Sequence, residues 1–150
     1  METNNYQRLG ATSNAHVGSE FEAAAQIFFE TVGLRLTRDF VAPVGFKVKK
    51  AKKFDLGSSS PPILVECKSY TWTISGKSPS AKIRSLNEAM LLFSVSPPEY
   101  RKILFVLKNL HPRTGLSLAK HYIKNQGHLI GPRVEIWEFD LEEKRGERIF

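Results

Sequence analysis

Five consecutive apolar residues, Ile103-Leu104-Phe105-Val106-Leu107, constrain this chain more than any other feature. A strand that is apolar at every position has no face left for water, so it must be covered on both sides. Segments with helical spacing supply the covers. Residues 80–93 carry Ile83, Leu86, Met90 and Phe93 on one stripe, and residues 115–125 form a second amphipathic stretch stopped by Gly127. Ahead of both, Ser19 is expected to cap a helix in which Phe21, Ala24, Ala25 and Phe28 recur at helical spacing, with Gly33 as its stop. Strands are expected over 34–41, 53–56, 63–70, 102–107 and 134–140. Pro43 and Gly45 should turn the chain, residues 57–62 and 71–79 read as loops, residues 1–17 as a polar lead-in and 141–150 as a charged tail. The order helix, three strands, helix, strand, helix, strand predicts an α/β fold with a mixed central sheet flanked by helices. A length of 150 residues with 41% apolar content fits a single domain spanning 1–150.

The charge balance narrows the partners. Lys and Arg number 22 against 15 Asp and Glu, a net charge of +7, which favours polyanions because neutralising phosphates releases condensed counterions. The single Cys67 excludes an internal disulfide framework and fits a reducing compartment. The start Met1-Glu2-Thr3-Asn4-Asn5 lacks the basic and apolar stretches of a secretory signal, and no apolar run is long enough to cross a bilayer. The expectation is a cytoplasmic chain with no membrane partner. His16, His111, His121 and His128 lack the spacing of a helical zinc pair, and no glycine-rich phosphate loop is present.

The chemistry concentrates in Phe54-Asp55-Leu56-Gly57 followed, eight residues on, by Glu66-Cys67-Lys68. Side chains alternate along a strand, so Glu66 and Lys68 share a face with Leu64 while Ile63, Val65 and Cys67 take the other. Cys67 is therefore expected as a small buried residue rather than a nucleophile. An acid and an amine then stand together where an apolar strand leaves the core. If residues 53–56 pair with this strand, Asp55 approaches Glu66. Two adjacent carboxylates repel unless a cation lies between them, and Mg²⁺ prefers oxygen ligands while keeping several waters. Asp55, Glu66 and the Cys67 carbonyl form such a donor set, with Mn²⁺ as an alternative ion. Lys68 would stand beside the attacking water, able to orient it or to offset charge on a phosphate.

This pattern resembles the PD-(D/E)XK nuclease superfamily, with Asp55 matching the first acid, Glu66 the second and Lys68 the lysine. The resemblance covers roughly residues 18–108. It implies a restriction-endonuclease-like αβββαβ core, to which the last helix and strand would be additions, and Mg²⁺-dependent hydrolysis of DNA phosphodiesters. Gly18-Ser19-Glu20-Phe21-Glu22 is similar to the opening helix of archaeal Holliday-junction resolvases and Mrr-type endonucleases, which implies a supporting catalytic and metal role for Glu22, with Glu20 as the fallback. Phe54 stands where the family often has proline, and Asn87 stands where some members have glutamine. A homodimer is also implied by the resemblance alone.

Around these residues, Lys47, Lys49, Lys50, Lys52 and Lys53 lead into Asp55 and read as a phosphate-contacting arm. Tyr70 and Trp72, just past the strand, are candidates to stack on a base or line a groove, and Lys77, Lys82 and Arg84 surround the start of the second helix, a place suited to phosphate. The expected function is a metal-dependent endonuclease of restriction, repair or recombination type, with a Holliday-junction resolvase as the nearer alternative. A basic, non-catalytic nucleic-acid-binding subunit is the alternative from another class.

Overall fold

A computed structural model describes residues 14–150. Three helices and one six-stranded mixed sheet make an α/β fold. The chain runs α1 (Asn14–Thr31), β1 (Thr37–Val44), β2 (Lys50–Ser59), β3 (Pro62–Lys68), α2 (Ser80–Ser94), β4 (Arg101–Leu107), α3 (Leu118–Gln126), a short 3₁₀ turn (Gly127–Leu129), β5 (Val134–Asp140) and β6 (Arg145–Arg148). Strands lie in chain order, β1 to β6. The central pairs β3–β4 and β4–β5 are parallel, and the outer pairs β1–β2, β2–β3 and β5–β6 are antiparallel. No described helix is long and apolar enough to cross a membrane.

Both faces of the centre are buried, as the apolar run requires. Ile103, Phe105 and Leu107 of β4 pack with Ile63 and Val65 of β3 beneath Phe21, Ala25 and Phe29 of α1. Leu104 and Val106 pack with Leu64 beneath Leu86, Met90 and Phe93 of α2 and Tyr122 of α3. The alternation expected of β3 holds, with Leu64 in one core and Ile63, Val65 and Cys67 against the other.

Several boundaries differ from expectation, each for a local reason. Helix α1 begins at Asn14 and runs through Ser19, whose hydroxyl accepts from Arg38 Nη2 at 3.2 Å instead of capping; residues 1–13 of the expected lead-in lie outside the described residues. Strand β1 starts three residues late because Gly33 (φ +88°) and the Leu34 N–H to Phe29 carbonyl bond close the helix first. It then runs through Pro43, which an edge strand tolerates because it lacks only an N–H. Strand β2 begins at Lys50 and continues through Gly57 to Ser59, leaving a two-residue turn where a six-residue loop was expected. Gly57 is a close-approach glycine rather than a turn glycine, since a Cβ there would lie 2.5 Å from the Phe40 ring. Strand β3 ends at Lys68, two residues early. Helix α3 starts at Leu118 behind the cap Ser117, with Gly115 (φ +72°) in the preceding turn. The charged tail contains a strand, β6, paired to β5.

The irregularity that matters most is in the β1–β2 ladder. Arg38 pairs with Leu56 and Phe40 with Phe54, while Asp39 and Asp55 between them are skipped, Asp39 adopting φ +56°. Phe54 and Leu56 are two apart, yet Phe54 lies in the α2-side core and Leu56 in the α1-side core. The strand thus reverses faces at Asp55, and the far half of the hairpin curls over the α2 side, where the Gly45 N–H donates to the Val95 carbonyl (3.0 Å).

Candidate active site

The ladder break places Asp55 at the C-terminal end of β3, beside both faces of the sheet. Its Oδ2 accepts the Cys67 N–H at 2.8 Å. Burial, then the charge of Glu66, raises its pKa above the ordinary carboxylate range, against the lowering effect of the Cys67 N–H and of Lys68. Glu22 reaches Asp55 from α1, close enough for a side-chain hydrogen bond, and its pKa is raised by burial against the opposing bond from Arg38 Nη2 (2.7 Å). Glu20 points elsewhere, pairing with His16 at 2.9 Å.

Glu66 stands on the α2 side. It is 5% exposed, and its Oε1 has no hydrogen-bond partner. Two ammonium groups flank it, Lys52 Nζ at 3.3 Å from Oε1 and Lys68 Nζ at 3.9 Å from Oε2. Lys68 is itself held by α2, donating to Ser85 Oγ at 3.3 Å, and Ser85 shares a 2.7 Å bond with the Tyr70 hydroxyl. Lys68 and Lys82 also flank the Tyr70 ring, at 5.8 and 5.2 Å from its centre. On the opposite side, burial and the charges of Asp55, Glu22 and Glu66 push the Cys67 thiol well above its ordinary pKa, so it is not poised as a thiolate.

The donor set suits a hard cation. Asp55, Glu66 and the Cys67 carbonyl offer only oxygen, the donor that Mg²⁺ prefers, and among the described residues Glu66 Oε1 is buried without a hydrogen bond, its one charge partner being Lys52. The set is sparse. Among the described residues no group of three or more His, Cys, Asp or Glu side chains is arranged to hold a metal ion, and Glu22 is turned to Arg38.

The residues expected to contact DNA are dispersed. Of the lysine arm, Lys52 alone reaches the acids; Lys47, Lys49, Lys50 and Lys53 are exposed. Lys49 Nζ folds back onto the Gly45 carbonyl at 2.6 Å, beside the C-terminal end of α2. Tyr70 stands at the site, whereas the Trp72 ring is gripped by His111 and His121 (centres 4.9 and 4.8 Å away) and its Nε1 donates to the Leu116 carbonyl, so it ties the loop after β3 to the segment before α3 and to α3 itself. Asn87 faces α3 and accepts from the Tyr122 hydroxyl at 2.8 Å. Lys77 and Arg84 are exposed near the start of α2. Ser85 and Arg38 were not anticipated. Neither carries a motif signal, because a serine inside a helix and an arginine in an edge strand gain meaning only from what they meet. Comparison with protein families, with characterised proteins and with solved structures finds no match to this chain.

Proposed function

We propose that this chain is a metal-dependent DNA endonuclease with a restriction-endonuclease-like core. The observation that carries the reading is the buried Glu66 carboxylate beside Asp55, its Oε1 without a hydrogen bond and neutralised only by the displaceable Lys52, with Lys68 tethered on the same face. The element order α-β-β-β-α-β supports the same core. Mg²⁺ or Mn²⁺, held by Asp55, Glu66 and the Cys67 carbonyl, would supply positive charge to offset that developing on the scissile phosphate. The chain's own groups do the rest. Asp55 and Glu66 provide the anionic ligands, and burial keeps their field strong. The bond to Ser85 limits the rotamers of Lys68, so that its Nζ can orient a water or offset charge developing on the phosphate. Arg38 holds Glu22 beside Asp55. The net charge of +7 favours a nucleic-acid partner.

One observation favours a second reading, a non-catalytic nucleic-acid-binding subunit of this fold: Arg38 and Lys52 already satisfy charge that an ion would otherwise balance. Cleavage of supercoiled plasmid, single strands and a synthetic four-way junction, each with Mg²⁺, Mn²⁺ or chelator, separates the two. Metal-dependent cutting that Lys68→Ala abolishes supports the nuclease, and preference for the junction would make it a resolvase. No cutting of any substrate, with DNA binding equal in chelator, supports the binding subunit.

A further inference from the structure

At the other end of α2, away from the acids, lies a cleft of about 590 Å³ lined by Phe93, Ser94, Ser96, Pro98, Lys102, Pro132, Arg133 and Val134. Lys102 is the first inward-facing residue of β4. It pairs with Leu64, short of the Glu66 level, and is only 6% exposed. Among the described residues no acid lies within ion-pair distance of Lys102 or Arg133; Glu99 is the one acid whose charge Lys102 feels. The helix end does not serve it either. The hydroxyls of Ser94 and Ser96 donate to the terminal carbonyls of Leu91 (2.7 Å) and Phe93 (2.6 Å). Arg133 is held at the rim in the left-handed region (φ +67°), its Nη1 bonded to the Pro98 carbonyl at 2.9 Å and its own carbonyl bonded to the Lys102 N–H. A third cation, Lys49, stands on the Gly45 carbonyl next to Val95.

The Lys102 side chain is mostly covered, its ammonium opens to the cleft without an ion-pair partner, and a like charge beside it is unfavourable. Burial and Arg133 accordingly lower the proton affinity of Lys102. An anion entering the cleft would offset both effects. We propose that this cleft binds a phosphate ester, with Lys102 and Arg133 as its anion ligands. Two cations lining one cleft match a phosphate group better than a carboxylate, because it presents more acceptor oxygens and carries a charge of about −1 as a backbone diester and about −1.5 to −2 as a monoester. The volume exceeds what the phosphate fills, and Phe93, Pro98, Pro132 and Val134 offer apolar walls to the organic body. The same chemistry could come from a free mononucleotide or from a nucleic-acid backbone. The site is independent of the acids and of the nuclease reading.

The test is a titration of the whole chain at fixed ionic strength in chelator, read by thermal shift and calorimetry. The probes are AMP, inorganic phosphate, adenosine, and a short blunt duplex without terminal phosphates. AMP is expected to bind saturably, phosphate more weakly and adenosine not at all. Lys102→Met should weaken AMP at least tenfold, and Arg133→Gln, an exposed change that leaves the core intact, should weaken it in the same direction. Duplex binding that depends on Lys102 while AMP fails would assign the phosphate to nucleic acid. The proposal is overturned if no probe binds, if adenosine binds as well as AMP, or if binding is unchanged in the variants. Should Lys102→Met not fold, Arg133→Gln alone decides.

Discussion

Lys52 occupies the place where a divalent ion would neutralise Glu66, so removing its charge should tighten the ion. At 3.3 Å and an effective dielectric of about 20, the bare attraction between the two charges is about 5 kcal/mol. Water reaches Lys52, whose side chain is 29% exposed, and its ammonium also donates to the Lys53 carbonyl at 2.8 Å. Screening and the cost of holding the side chain reduce the net coupling to about 1–2 kcal/mol. An ion that must displace Lys52 forfeits that amount, so Lys52→Met should bind Mn²⁺ roughly 5- to 30-fold more tightly. The same change leaves Glu66 with Lys68 alone at 3.9 Å, so in chelator the variant should melt about 2–4 °C lower for about 1 kcal/mol lost. Calorimetric titration with Mn²⁺ and melting with and without chelator read both effects on one protein. Equal or weaker Mn²⁺ affinity in the variant would refute the idea that Lys52 and the ion compete for Glu66. No Mn²⁺ binding by either protein would instead remove the metal from the proposed function.

Three further outcomes follow from the geometry. Lys68→Ala should cut DNA at least 100-fold more slowly while binding it within a few-fold of the parent, because Lys68 is assigned to the phosphate or the attacking water rather than to affinity; gel cleavage and anisotropy check this. Asp55 has a raised pKa, so its stabilising contribution is present below the unfolded-state value and is lost as pH rises through the folded one. Asp55→Asn should therefore raise the melting temperature at pH 7 by a few degrees, with the gain vanishing in acid, and it should abolish cation binding. In the parent, cation affinity should begin to fall at a higher pH than an ordinary aspartate would dictate. Ser117→Ala should cost about 2–3 kcal/mol in urea unfolding, since the hydroxyl both caps α3, accepting from the Lys120 N–H at 3.1 Å, and donates to the 2%-exposed Glu138.

Local pattern alone determined much of this molecule. Runs such as Ile103–Leu107 demand burial on both faces, and helical stripes such as Leu86, Met90 and Phe93 supply the cover, so the element order through β5 was legible. So was the shared face of Leu64, Glu66 and Lys68, because strand alternation is a property of the backbone. What the sequence did not disclose depends on contacts between distant segments. The short, charged strand β6 has no apolar signal and exists because β5 offers it an edge. Gly57 and Ser58-Ser59 read as a loop because turn chemistry and close approach use the same residue types; only the Phe40 ring beside Gly57 decides between them. The skipped Asp39–Asp55 pair reverses the faces of β2, which strict alternation cannot anticipate, and that reversal sends Lys52 to Glu66. Ser85 on Lys68, Arg38 on Glu22 and the two histidines on Trp72 are likewise pairings across 16 to 49 residues of chain. A side chain's local pattern sets which face it takes, whereas its partner is set by which elements the fold brings to that face.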